Sequence, residues 1–264
     1  LVGGFWAALI AAVVGSVLLN YYFAPPIHTF TITDGENILA LGIFLLVGVL
    51  VSRVVDLSAR RSSVAARASA EAETLSSLGV RAGAPLVVMV AALVGHKDPI
   101  TFVRAMEETR HVVPNVQALI VGDGELRADV EREIAMLGIG DVVHLAGYRT
   151  DADSLMIAAD VVALSSSDDG IGGVVIDAMS FGKPVAATSA GGIPEAVVHE
   201  ETGLLVPVGD VAALGAAIAR ILNDRTLAAR LGANGIRRAP LFSIENTVDK
   251  TLAVYERVLA ARAR

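Results

Sequence analysis

Cysteine is missing from all 264 residues, which excludes disulfides, thiol nucleophiles and cysteine-based metal sites and fits a reducing compartment. Histidine is scarce and scattered, at positions 28, 96, 111, 144 and 199, without the spacing of metal ligands, so no metal site is expected. Basic residues are outnumbered by acidic ones, 21 against 28, for a net charge of −7. With no clustered basic face, nucleic acid is excluded as a partner, although a small anion can still bind locally. The most informative gap is positional: residues 1–52 hold no lysine or arginine, so every basic side chain lies from Arg53 onward. Hydrophobic residues make up 54% and the mean hydropathy is +0.61, too apolar for an ordinary soluble chain. The two facts together divide the sequence into a part suited to lipid and a part suited to water.

The lipid-suited part reads as a hairpin over 1–55. Leu1 to Phe23 is almost wholly apolar and as a helix would run roughly 35 Å, enough to cross a bilayer core. Small residues recur every four positions, at Gly4, Ala8 and Ala12 and at Ala7, Ala11 and Gly15; these either permit a close helix neighbour or reflect the ordinary composition of membrane helices. Ala24-Pro25-Pro26 stops the helix, with Asn20, Tyr21 and Tyr22 at the interface. The apolar run resumes from Ile38 to Val55. Arg53 can snorkel there, and Arg60, Arg61 and Arg67 follow. The positive-inside rule then places the C-terminal side in the cytoplasm. A cleaved signal is not expected, because the start is not basic and the aromatic Pro-Pro stretch is a poor cleavage site. The chain opens at Leu1, apolar at once, and is expected to have been cut from or joined to something longer.

The run from Leu18 to Ile32, Leu-Leu-Asn-Tyr-Tyr-Phe-Ala-Pro-Pro-Ile-His-Thr-Phe-Thr-Ile, followed by Glu36-Asn37 and Ser52-Arg53, resembles the last two membrane helices of KdpD-type sensor histidine kinases, over roughly residues 1–75. The resemblance implies the cytoplasmic membrane of a bacterium and the lipid bilayer as a partner. A linker over 56–78, with Leu57, Val64, Ala68, Ala72, Leu75 and Leu78 at helical spacing, is expected to be a helix. In the sensor family such a helix leads to a phospho-accepting histidine. Here no histidine lies between His28 and His96, so kinase output is not expected.

From Pro85 the pattern becomes short β-branched runs alternating with amphipathic segments. Strands are expected over 86–94, 116–121, 142–145, 161–164 and 185–188, with a further one over 203–206. Helices are expected over 211–222, 226–231 and 244–261. Continuous apolar strands suit a parallel sheet covered on both faces, so 79–264 is expected to be an α/β, Rossmann-like doubly wound domain. Ligands of such sheets sit beyond the carboxyl ends of the strands, and three turns there carry candidates. Gly95-His96-Lys97-Asp98 offers a cation to a phosphate, or is only a solvated turn. Gly122-Asp123-Gly124 allows a sharp turn but lacks the third glycine of a dinucleotide fingerprint and the ending of a P-loop. Ser165-Ser166-Ser167-Asp168-Asp169-Gly170-Ile171-Gly172-Gly173-Val174-Val175-Ile176-Asp177 runs from strand through polar turn and glycine cluster into helix. Its amides suit a diphosphate. Asp169 and Asp177 either accept sugar hydroxyls, or serve as a helix cap and a solvated residue.

Together with Phe181-Gly182-Lys183-Pro184-Val185, Gly191-Gly192-Ile193-Pro194-Glu195 and Thr202-Gly203-Leu204-Leu205-Val206-Pro207, this segment resembles the donor-binding half of family 4 glycosyltransferases of the GT-B fold, over roughly residues 79–262. The resemblance implies a nucleotide-diphosphate sugar as donor substrate, no resident cofactor, and transfer to an acceptor hydroxyl. It implies that Lys97 contacts the donor phosphates and that Gly170, Ile171, Gly172, Gly173 and Val174 surround sugar and diphosphate; Gly122, from its glycine turn, is a further donor-site candidate. Asp169 would lie near the transferred sugar, Asp177 on the ribose, and Gly147, Tyr148 and Arg149 near the base. Two departures stand out. Both motif acids are Asp where the family has Glu, and Ala91-Ala92 replaces the usual Gly-Arg before the lysine. The hairpin stands where the family has its acceptor-binding domain, so donor binding without efficient transfer is expected of this chain alone, with a separate acceptor-binding domain as partner. The alternatives are a non-catalytic membrane sensor or scaffold fragment, and an artificial fusion of unrelated parts.

Overall fold

The structure, a computed structural model, describes residues 72–262 and the isolated positions 14, 15, 21, 50, 53 and 70. The chain divides into two compact units, Leu1–Ala70 and Glu71–Arg264. Among the described residues no helix is long and apolar enough to cross a membrane. The hairpin over 1–55 and most of the linker over 56–78 lie outside them.

The second unit opens with helix α1 over 72–77. Leu75 and Leu78 pack on the core beside buried Val80, so the last residues of the expected linker are part of the α/β packing. Six strands follow: β1 Leu86–Val90, β2 Gln117–Val121, β3 Val143–Gly147, β4 Val161–Leu164, β5 Val185–Thr188 and β6 Gly203–Val206. All pairs are parallel, in the order β3-β2-β1-β4-β5-β6. Between them run α2 Pro99–Val112, α3 Arg127–Leu137, α4 Ala152–Ala158, α5 Gly173–Ser180 and α6 Ile193–Ala196. Helices α7 Val211–Asn223, α8 Arg225–Arg238 and α9 Ile244–Arg262 close the chain.

The strands are apolar at nearly every position, Gln117, His144 and Thr188 excepted, because the sheet is buried on both sides. In β1, Val87 and Met89 enter one core with Phe102, Met106, Val130 and Ile218, while Leu86 and Val88 enter the other with Leu155, Val175 and Met179. This is the period of two that a pleated strand imposes.

Two element boundaries differ from the sequence expectation by more than two residues. β1 stops at Val90, not Val94, because the chain then leaves the ladder to run along the neighbouring turn: Ala91 N–H donates to Val121 O at 3.0 Å and Leu93 N–H to Asp123 O at 3.0 Å. α8 continues past Leu231, where the sequence expectation ended it, to Arg238 through Gly232 and Gly235. They are packing positions: a Cβ on Gly232 would lie 2.1 Å from Gly182 O, and one on Gly235 3.3 Å from the Met179 backbone. Their hydrogens let α8 press against α5 and the turn that follows it.

Candidate functional site

The strand order reverses between β1 and β4, and the crevice at their carboxyl ends is where an open α/β sheet binds ligands. Both turns that carry the main candidates end there. After β1, a 3-10 turn over Gly95–Lys97 leads to Asp98, which sits in the left-handed region (φ 45°) and caps α2 by accepting from Thr101 N–H at 3.2 Å. Pro99 at the first helical position completes this start. After β4 comes Ser165 to Gly172. The two turns are sewn together: Ser167 N–H donates to His96 O at 2.8 Å, and Ser165 Oγ donates to Asp98 O at 2.7 Å and to Lys97 O at 3.2 Å.

This stitching brings Lys97 and Asp169, 72 residues apart, into a single ion pair, Nζ to Oδ2 at 2.5 Å. The same oxygen accepts from Ser166 Oγ at 3.1 Å. Burial pushes the Asp169 carboxyl upward. The Lys97 hydrogen bond and charge, with Ser166 and the Gly170 amide, outweigh that and hold it below the usual carboxylate range. Asp169 is therefore ionised and does not cap the helix. That position belongs to Gly172, at φ 68°, with no side-chain cap on the first turn of α5. Val175 N–H is taken by Gly172 O at 2.8 Å, which leaves the Gly173 and Val174 amides at the helix start to an anion. Behind the loop, Gly192 N–H donates to Asp169 O at 3.1 Å and to Gly170 O at 2.6 Å. A Cβ on Gly191 would sit 1.7 Å from Asp169 O and one on Gly192 2.2 Å from Gly170 O, so the Gly191-Gly192 pair acts as the backing on which the loop rests.

The remaining candidates fall nearby in three ways. Gly122 (φ 144°) lies against the β1 turn: a Cβ there would meet Ala91 O at 1.9 Å, and its N–H donates to Gly147 O at 2.8 Å. Its glycine is required by backbone approach. Gly147 (φ 68°) ends β3, Tyr148 is 80% exposed, and Arg149 is held by Asp151 through two 2.7 Å hydrogen bonds. The Arg149 hydrogen bond pulls the Asp151 carboxyl below its ordinary range, so Arg149 offers a fixed, charge-balanced plane and no free cation. Asp177 is exposed on α5 and separate from the Lys97 pair. Desolvation first, then the charge of Asp153 on α4, pushes it above the ordinary value. Asp153 lies in the first turn of α4, the helix that follows the β3 turn, so the second motif acid has that helix as its electrostatic neighbour. Among the described residues no group of three or more His, Cys, Asp or Glu side chains is placed to hold a metal ion.

Sequence reasoning passed over Ser165, Ser166 and Thr188 as individuals. All three are fully buried, and Thr188 Oγ1 donates to Ser166 O at 2.6 Å. The signal available was polar residues directly after continuous apolar strands, at the ends where ligands bind.

A six-stranded, doubly wound parallel sheet, with Lys97 and the start of α5 at its switch point, defines a Rossmann-like half. The family model described as glycosyl transferases group 1 matches residues 71–238, and the chain belongs to that family. Residues 1–68 match the domain of unknown function DUF4118. Among curated relatives, the lipopolysaccharide core biosynthesis glycosyltransferase LpsD of Rhizobium meliloti is 32% identical over 71% of this chain and 54% of its own length. Among solved structures, Anabaena HepE in complex with UDP and glucose superposes with a TM-score of 0.63 at 29% identity, covering 70% of this chain and 52% of that one. Sucrose-phosphate synthase from Thermosynechococcus elongatus gives 0.63 at 34%, covering 72% and 49%. The chain thus spans about half the length of the relatives it matches.

Proposed function

We propose that the unit over 71–264 binds a nucleotide-diphosphate sugar and presents its anomeric carbon for transfer to an acceptor hydroxyl. The observation that carries this reading is the Lys97–Asp169 pair set beside the uncapped start of α5 at the switch point. In transfer, the bond from the anomeric carbon to the diphosphate oxygen breaks and a bond to the acceptor oxygen forms. Negative charge grows on the departing diphosphate, where a fixed ammonium and helix-start amides stabilise it. Asp169 takes sugar hydroxyls, Asp177 the ribose, and the Gly147-Tyr148-Arg149 turn the base. The complexes of HepE with UDP and glucose support a nucleotide sugar as the ligand class. Acceptor positioning and the base that takes the acceptor proton are assigned to a domain other than this one, and residues 1–55 to a membrane hairpin that keeps the unit on the cytoplasmic face.

Titrating the full chain in detergent with UDP- and GDP-sugars by calorimetry tests the reading. We expect saturable binding, weakened at least about 10-fold by Lys97→Ala and by Asp177→Ala, each of which removes a charge-assisted contact. A folded chain that binds neither nucleotide sugar would sink it.

A further inference from the structure

Eight polar side chains are buried among the described residues, and three of them, Ser165, Ser166 and Thr188, lie at the carboxyl ends of β4 and β5 beneath the Lys97–Asp169 pair. A buried hydroxyl is tolerated only when hydrogen-bonded, and an alanine or valine would avoid the burden in strands otherwise apolar throughout. The bonds these three make run in one direction. Thr188 Oγ1 donates to Ser166 O at 2.6 Å, fixing that residue's backbone. Ser166 Oγ donates to Asp169 Oδ2 at 3.1 Å, fixing the carboxylate, which receives Lys97 Nζ at 2.5 Å on the same oxygen. Ser165 Oγ holds the backbone of the lysine turn through Lys97 O and Asp98 O. Both ends of the ion pair are therefore anchored on one turn.

We propose that Ser166 and Thr188 are positioning residues of the donor site, hydroxyls that fix the Asp169 carboxylate and, through it, the Lys97 ammonium before any nucleotide arrives. The inference rests on the donor-site reading above. A lysine has a long flexible stem, and a phosphate contact that had to immobilise it would lose affinity to that ordering. The pair removes most of the loss in advance. It also partly neutralises the ammonium, so its donor contact depends on geometry more than on raw charge.

The test is a cycle of variants in the full chain, titrated calorimetrically with whichever of UDP or GDP the wild type binds more tightly. We expect Ser166→Ala and Thr188→Val each to weaken binding about 3- to 10-fold, the range of one lost hydrogen bond, and Thr188→Ser to recover what Thr188→Val loses. In a Lys97→Met background, Ser166→Ala should have no further effect, because the group it positions is gone. Equal losses with and without Lys97 would mean that Ser166 supports packing only, and no loss in either background would mean that it positions nothing. Both overturn the proposal while the donor site stands. If Thr188→Val does not fold, the Ser166 cycle decides alone. A folded wild type that binds neither nucleotide fails the donor-site reading itself, an outcome distinct from the other two.

Discussion

At the scale of single residues the two motif acids, identical in type, are in opposite electrostatic states. Asp169 faces a lysine, and its carboxyl is held low; Asp177 faces Asp153, and its carboxyl is pushed up, by desolvation first and by that neighbour's charge second. Neither state was legible in the sequence. Asp169 meets Lys97 only because β1 lies beside β4, and Asp177 meets Asp153 only because α4 and α5 lie side by side in the fold. The sign of the Asp177 shift has a consequence for stability. An acid whose folded pKa is raised binds its proton more tightly in the fold, so its contribution is neutral while both states are protonated and becomes unfavourable as pH rises through the ordinary carboxylate value, about 3.9. We expect Asp177→Asn to raise the melting temperature at pH 7, and the gain to shrink toward zero as pH approaches 4. A melting series over that range checks it, and a gain independent of pH would show that charge is not the cause. Keeping a charge that disfavours the fold is what a binding residue does.

At the scale of elements, the strands were readable because burial on both faces leaves a continuous apolar run, and β4, β5 and β6 have the expected bounds. The glycines were not, since the same residue ends one helix and packs another. Gly138 at φ 64° does stop α3, whereas Gly232 lies inside α8 against Gly182. No local pattern separates the two roles; what separates them is a neighbour in space. The distinction is measurable. Gly232→Ala improves helix propensity by up to about 1 kcal/mol, yet its Cβ would lie 2.1 Å from a backbone oxygen, an overlap that relaxes only by moving α8 off α5. We expect a net destabilisation of about 1–3 kcal/mol in the denaturant unfolding of the α/β unit. Gly140→Ala, whose Cβ would approach only Ile134 Cγ2 at 4.0 Å, should change stability by no more than about 0.5 kcal/mol. If Gly232→Ala instead stabilises the protein, α8 is less tightly seated than the structure places it.

At the scale of the molecule, the proposal that the α/β unit is held at the cytoplasmic face rests on charge placement alone: no basic residue before Arg53, then Arg53, Arg60, Arg61 and Arg67 in close succession. A lysine or arginine is hard to move through a bilayer core while Asp34 and Glu36 in the intervening loop have little influence, so the hairpin should enter with that loop outward and both ends inward. Because the chain has no cysteine, a single introduced thiol reports one position without background. We expect Gly35→Cys to react with a membrane-impermeant maleimide in intact cells, and Ser76→Cys, at an exposed position of α1, to react only after permeabilisation. The reverse labelling pattern would place the donor site on the outside, away from cytoplasmic nucleotide sugars, and would detach the sugar-transfer reading from the membrane one. Labelling of both in intact cells would mean that 1–55 does not span as a hairpin, and the charge asymmetry would then need another explanation. Only the expected pattern lets one chain combine a lipid anchor with a donor site supplied from the cytoplasm.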